Sequence, residues 1–125
     1  MLARYTMLRG KTPTVIGIRQ DSRKHTRHCL RPNPDMVARL RAGDPTYSWE
    51  QFRNDYQQLI TQRFGEDRRP FDALADLASR ENVFLGCSCP TKKNPDVYHC
   101  HTVLALIFMK DTYPDLPVVL PELEE

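Results

Sequence analysis

The sequence predicts an α/β fold: a small, mostly parallel sheet with crossover helices, forming a single compact domain over residues 1–125. Three observations lead to that class. Thr14-Val15-Ile16-Gly17-Ile18 is a short β-branched run, and Val83-Phe84-Leu85-Gly86-Cys87 is a continuous apolar run. Both have the length of a strand rather than of a buried helix. The residues between them carry helix-start signals and apolar positions at helical spacing. Strands separated by helices pair in parallel, because only a long crossover can return the chain to the same edge of the sheet.

Residues Met1 to Pro13 show no clear period. The first predicted strand, Thr14 to Ile18, is expected to be buried; it follows Pro13 and leads into a basic segment. That segment holds Arg19, Arg23, Lys24, Arg27 and Arg31 with His25 and His28, interrupted by Asp21. Asn33-Pro34-Asp35 opens a helix, with a capping Asn, Pro in the first helical position and an acid in the first turn. Met36, Val37 and Leu40 face inward, and Gly43 ends it. Ser48-Trp49-Glu50-Gln51 is a capping box, followed by Phe52, Tyr56, Leu59 and Ile60 at helical spacing as far as Phe64.

Arg69-Pro70-Phe71 starts a third helix with Phe71, Leu74, Ala75 and Ala78 along one face. Val83 to Cys87 contains no polar residue and reads as a central strand buried on both sides. Pro90 to Pro95 is a polar loop. His101 to Lys110 is a helix apolar almost all round, hence buried, and Pro117 to Leu120 makes a last short strand before an acidic tail. There are no internal repeats and no linker long enough to divide the chain.

Composition narrows the function classes. The chain is 40% hydrophobic and 27% charged, and its longest apolar stretch, Val103 to Met109, is far short of the ~20 residues a membrane span needs. No membrane association is expected. The N-terminus lacks the apolar core and cleavage site of a signal peptide, so a cytoplasmic location with reduced thiols is expected. Four cysteines in such a setting point to metal or catalysis rather than to disulfides. The net charge of +2 is too small to argue for nucleic acid by itself. Oligomeric state is not legible.

The chemistry concentrates in Cys87, Cys89, His99, Cys100 and His101. Cys87 closes the central strand and Cys89 lies just past it, while His99, Cys100 and His101 sit where the next helix begins. Ligands of open α/β sheets bind beyond the carboxyl ends of the strands. A helix N-terminus there suits an anion and lowers the pKa of a thiol. Zinc is one candidate cofactor, with Cys87, Cys89, His99 and Cys100 as donors, a pattern less diagnostic than paired Cys-x-x-Cys knuckles. The second candidate is an activated thiol at Cys87 or Cys100, with His101 or His99 as its base or acid. Taken singly, each of these cysteines also fits a small buried hydrophobe. Cys29 stands apart and is expected to be structural.

Ser48-Trp49-Glu50-Gln51-Phe52, then Tyr56, a strand running into Cys87, and Cys100-His101 before an apolar helix resemble the family catalogued as domain of unknown function 488. The likeness spans roughly Thr14 to Met109 and includes a strand leading into Arg19 and a basic loop. It implies a compact α/β protein and brings no agreed activity with it. Carried over by position, it implies Arg19, Cys87, Cys100 and His101 as site residues. Thr102 stands where the family's Cys-His-Arg motif has its Arg, and Gly17-Ile18-Arg19 keeps only the arginine of Asp-Val-Arg. Both replaced groups are ones that would contact a polar ligand, so the resemblance does not extend to an identical substrate.

The residues alone support the same positions. Arg19, Ser22 and Arg23 lie around the carboxyl end of the first predicted strand, and an arginine fork beside helix N–H groups is good equipment for phosphate or carboxylate. The expected function is therefore that of a small enzyme acting on an anionic small molecule or nucleotide derivative. Arg19 would anchor the anion, Cys87 or Cys100 would act as nucleophile, and His101 would handle the proton. The alternative is a non-catalytic module with a structural zinc at the cluster and its basic loop, Arg19 to Arg31, on nucleic acid. Trp49, Phe52, Tyr56 and Phe64 at helical spacing are expected in the core.

Overall fold

A computed structural model describes residues 1–7, 16–88 and 96–121. Strand β3, Val83–Cys87, is the centre of a three-stranded parallel sheet, flanked by β1, Leu2–Thr6, and β2, Ile18–Asp21. All five residues of β3 are buried, as an uninterrupted apolar strand requires when both of its edges and both of its faces are covered. The register sets Leu2 and Ile18 beside Val83, and Thr6 beside Cys87. Gly86 keeps the strand ends close: a Cβ there would meet the Met7 and Tyr5 side chains at under 3 Å.

Helices α1, Pro34–Arg41, α2, Trp49–Glu66, and α3, Arg69–Arg80, all lie in the connection from β2 to β3. After β3 come a single 3-10 turn, Val97–His99, and α4, His101–Thr112. The helix ends follow the sequence signals. The Asn33 side chain accepts from the Asp35 N–H at 2.9 Å, and Ser48 accepts from the Gln51 N–H at 3.1 Å. Only half of the expected capping box forms, because the Gln51 amide donates to Asp55 instead of returning to Ser48. Gly43, at φ 69°, ends α1 in the left-handed conformation that glycine adopts without penalty.

One hydrophobic core joins these elements. Leu2, Val83 and Leu85 meet Phe52, Tyr56 and Ile60 of α2, Phe71, Leu74 and Ala78 of α3, and Leu104, Ala105, Leu106 and Met109 of α4. Seven of the twelve residues of α4 are buried, which accounts for its apolar character on nearly every side. Trp49 is half-buried against this core, and Phe64 packs edge-to-face on Phe71 and Phe108. Among the described residues no helix is long and apolar enough to cross a membrane.

Three expectations change. The strand expected over Thr14 to Ile18 begins only at Ile18 and runs on to Asp21; Ile16 is 92% exposed, and Thr14 and Val15 lie outside the described residues. Pairing starts where the Ile18 N–H reaches the Asn82 carbonyl, at 2.7 Å, and an outer strand needs no continuous apolar run. Strand β1 went unforeseen because the face it turns to the core, Leu2, Arg4 and Thr6, mixes one apolar side chain with two polar ones. The last expected strand, Pro117 to Leu120, reduces to a parallel bridge between Val118 and Leu2. The polar loop Pro90 to Pro95 and the last four residues of the acidic tail lie outside the described residues.

Candidate thiol–imidazole site

Successive side chains of a strand point to opposite faces. Leu2, Val83 and Leu85 belong to the helix-packed core, so Arg4, Thr6 and Cys87 share that helix-covered face. α4 packs against β1 and β3, and its first turn arrives at their carboxyl ends. Cys100 occupies the N-cap of α4, with extended backbone angles, and His101 is the first helical residue. The result is a group of three donors. The Cys87 and Cys100 sulfurs and an imidazole nitrogen of His101 all lie within 4.8 Å of one another, and the three residues are buried.

The hydrogen bonds assign roles within the group. His101 Nε2 lies 3.1 Å from Ser22 Oγ, and Ser22 Oγ lies 3.0 Å from the Gly86 carbonyl. A carbonyl only accepts, so the single hydroxyl proton of Ser22 goes to Gly86, and Ser22 Oγ accepts the Nε2–H of His101. That leaves Nδ1 as the lone-pair nitrogen, and Nδ1 faces Cys87 Sγ at 3.7 Å. The imidazole is thereby held in the tautomer whose Nδ1 lone pair faces the Cys87 sulfur. Cys100 has a different environment. The Thr102 hydroxyl donates to its sulfur at 3.1 Å, and Arg4 Nε donates to Thr102 Oγ1 at 2.9 Å. The Arg4 guanidinium also reaches the Thr6 hydroxyl and the Tyr5 carbonyl.

Aromatic rings brace the site. Trp49, Phe52 and Tyr56 occupy one stripe of α2 and stack in succession, with centroids 5.2 and 6.4 Å apart. His99 lies on the Trp49 ring at 4.8 Å, and His101 is tilted against Tyr56 at 6.2 Å. The Tyr56 hydroxyl donates to the Leu30 carbonyl at 2.8 Å, and burial pushes its pKa well above 10.

The other sequence candidates divide. Ser22 is fully buried and its hydroxyl meets the imidazole. Arg19 pairs in register with Phe84, three residues before Cys87, so the two point to opposite faces of the sheet and Arg19 is exposed. The strands are neighbours as the expected pocket requires, but the side chains are not. Arg23 grips Asp21 with two short bonds, from Nε at 3.0 Å and from Nη2 at 2.8 Å. Those bonds hold the Asp21 carboxyl below its usual range, and His25 adds to the effect from 3.7 Å. The same bonds keep the Arg23 guanidinium charged. His99 stacks on Trp49 with Asp96 at 3.7 Å, and Cys89 lies outside the described residues.

The basic loop is folded down rather than extended. His28 Nδ1 accepts from the Leu30 N–H at 3.1 Å, so Nε2 carries the proton, 2.7 Å from Gln20 Oε1. Burial lowers its pKa. Arg63 of α2 donates to the Cys29 and Arg31 carbonyls. The Cys29 thiol is pushed up to about 11 by burial.

Sequence reasoning did not foresee Arg4 and Thr102 as neighbours of Cys100, or Ser22 as the partner of His101. Arg4 and Thr6 alternate with Ala3 and Tyr5, and that period was the available sign of the strand that carries Arg4 to the site. Comparison with protein-family models, with curated proteins and with solved structures finds no match.

Proposed function

We propose that this protein is a small enzyme acting on an anionic small molecule, a nucleotide derivative among the candidates, through Cys87 as nucleophile. His101 is its base and Ser22 positions the imidazole. One observation carries the reading: Nδ1 of His101 lies 3.7 Å from Cys87 Sγ while Nε2 is tied to Ser22. A thiol is activated by an adjacent imidazole whose other nitrogen is oriented by a third group, and this arrangement supplies all three parts. In the reaction the Cys87 proton passes to Nδ1 and the sulfur bonds to an electrophilic centre of the substrate. The bond to the leaving group breaks, and the leaving group departs with that proton. The Arg4 guanidinium, bonded to the Thr102 hydroxyl that donates to Cys100, supplies the positive charge an anion needs, a role expected of Arg19. The likeness to the domain of unknown function 488 singles out the same Cys87, Cys100 and His101, and membership in that family is part of this proposal.

A second reading has one observation in its favour. Two thiols and an imidazole within 4.8 Å form a soft donor set of the kind zinc takes, with His101 in the place that sequence reasoning gave to His99. In that reading the protein is a non-catalytic module, and its loop from Arg19 to Arg31 rests on nucleic acid. The folding of that loop onto α2 and the pairing of Arg23 with Asp21 speak against an extended basic arm.

Elemental analysis of untagged protein, with alkylation kinetics at neutral pH, separates the two. The enzyme reading expects no stoichiometric metal and rapid alkylation of Cys87, slowed at least tenfold in His101→Ala. About one zinc per chain, with thiols masked until denaturation, overturns it in favour of the module. Absence of metal together with sluggish thiols overturns both.

A further inference from the structure

We infer that Cys87 and Cys100 act as a pair: Cys87 is a site of oxidation by hydroperoxides, and Cys100 closes the oxidised sulfur into a reversible disulfide. The inference rests on the reading of Cys87 as a nucleophile activated by His101. Its new content concerns Cys100, which that reading leaves unused.

Three observations carry it. The two sulfurs lie within 4.8 Å of one another, although one closes a strand and the other caps a helix thirteen residues later. Their hydrogen-bonding partners differ. Cys87 faces a proton acceptor, Nδ1 of His101. Cys100 accepts from the Thr102 hydroxyl, which accepts in turn from the Arg4 guanidinium. A donor backed by a fixed positive charge favours the thiolate form of Cys100, and its place at the helix N-terminus adds to that. Finally, both thiols are largely shielded from solvent, which disfavours intermolecular disulfides. Closing the pair to the ~2.05 Å of a disulfide takes a rotation of the side chains at the strand end and the helix cap.

The steps balance. Cys87 gives its proton to Nδ1 of His101, and its sulfur attacks the nearer oxygen of ROOH. An S–O bond forms, the O–O bond breaks, and ROH leaves with the proton from Nδ1. Cys87 is oxidised to the sulfenic acid and the peroxide is reduced. The Cys100 sulfur then attacks the Cys87 sulfur: the S–S bond forms, the S–OH bond breaks, and hydroxide leaves as water with the Cys100 proton. A low-molecular-weight dithiol returns both cysteines to thiols and is itself oxidised to its disulfide.

The test uses the full chain with hydrogen peroxide in metal-free buffer at neutral pH, followed by alkylation of remaining thiols and peptide mass spectrometry without reduction. The expected product is a Cys87–Cys100 linked peptide that dithiothreitol removes, with Cys29 still alkylated. In Cys100→Ser the sulfenic acid at Cys87 should persist and be trapped by dimedone. Thr102→Val should slow disulfide closure relative to sulfenic acid formation about fivefold, as for loss of one hydrogen bond, and Thr102→Ser should restore it. Sulfenic acid at Cys87 that persists in the unaltered chain, or a bridge from Cys87 to Cys89, overturns the pairing while leaving Cys87 as a nucleophile. A Cys87 inert to both peroxide and iodoacetamide removes the reading beneath it.

Discussion

Cys29 and Cys87 are two sulfurs in one small core with different surroundings. Cys29 is the more exposed of the two, and Cys87 is only 4% exposed. Yet the Cys29 thiol is pushed up to about 11, because burial dominates there and Arg63 and Arg31 offset it only in part. Cys87 has an imidazole nitrogen at 3.7 Å whose other side is fixed by Ser22. The two thiols differ in what surrounds them: burial outweighs the nearby arginines at Cys29, while Cys87 faces an imidazole nitrogen.

Three experiments break or sharpen that contrast. The largest effect concerns Cys29 itself. With a pKa of about 11 its thiolate fraction at pH 7 is roughly a hundredfold or more below that of a free cysteine, and alkylation in the folded protein should be slowed accordingly. Equal rates at Cys29 and Cys87, read by quantitative mass spectrometry, would dissolve the contrast.

The next effect is on the tie between the two regions. Tyr56 sends its hydroxyl to the carbonyl of Leu30, beside Cys29, while its ring braces His101. Tyr56→Phe keeps the ring and leaves that carbonyl without its hydroxyl donor, at a cost of about 1–3 kcal/mol. A lower denaturant midpoint is expected, with Cys29 alkylation rising more than that of Cys87. An unchanged midpoint would mean the tie contributes nothing.

The smallest effect is a pH slope. Burial lowers the pKa of His28 from its ordinary 6.5, opposed by the Asp21 carboxylate and reinforced by Arg31. The unfolded chain therefore takes up this proton before the folded one does. The contribution of neutral His28 is complete above about pH 6.5 and is lost as pH falls toward the folded pKa, by at most ~1.4 kcal/mol per pH unit. His28→Gln should flatten that part of the stability curve, and a curve of unchanged slope would count against a buried neutral imidazole.

Much of the fold is legible in the sequence where local signals and tertiary demands agree. Asn33 and Ser48 cap the helices they were expected to cap, and Phe71, Leu74, Ala75 and Ala78 form the buried face of α3. β3 shows itself because every one of its residues is buried. The flanking strands do not, since an outer strand serves two masters. β1 sends Leu2 to the core and Arg4 toward Thr102 from the same face, so its pattern is broken by the residue that matters most for Cys100. The candidate site was legible as a cluster because Cys87, Cys100 and His101 flank a strand end and a helix start. Its second layer was not: the meeting of Ser22 with His101 depends on how β2 sits against α4, and no residue spacing encodes that.

The row of rings along α2 has a practical consequence. The chain contains a single tryptophan, and it is the ring on which His99 stacks, two rings from the one that braces His101. The molecule thus carries its own optical gauge. Any event that shifts the start of α4 must disturb the packing around one indole, and its emission can be followed without adding a label.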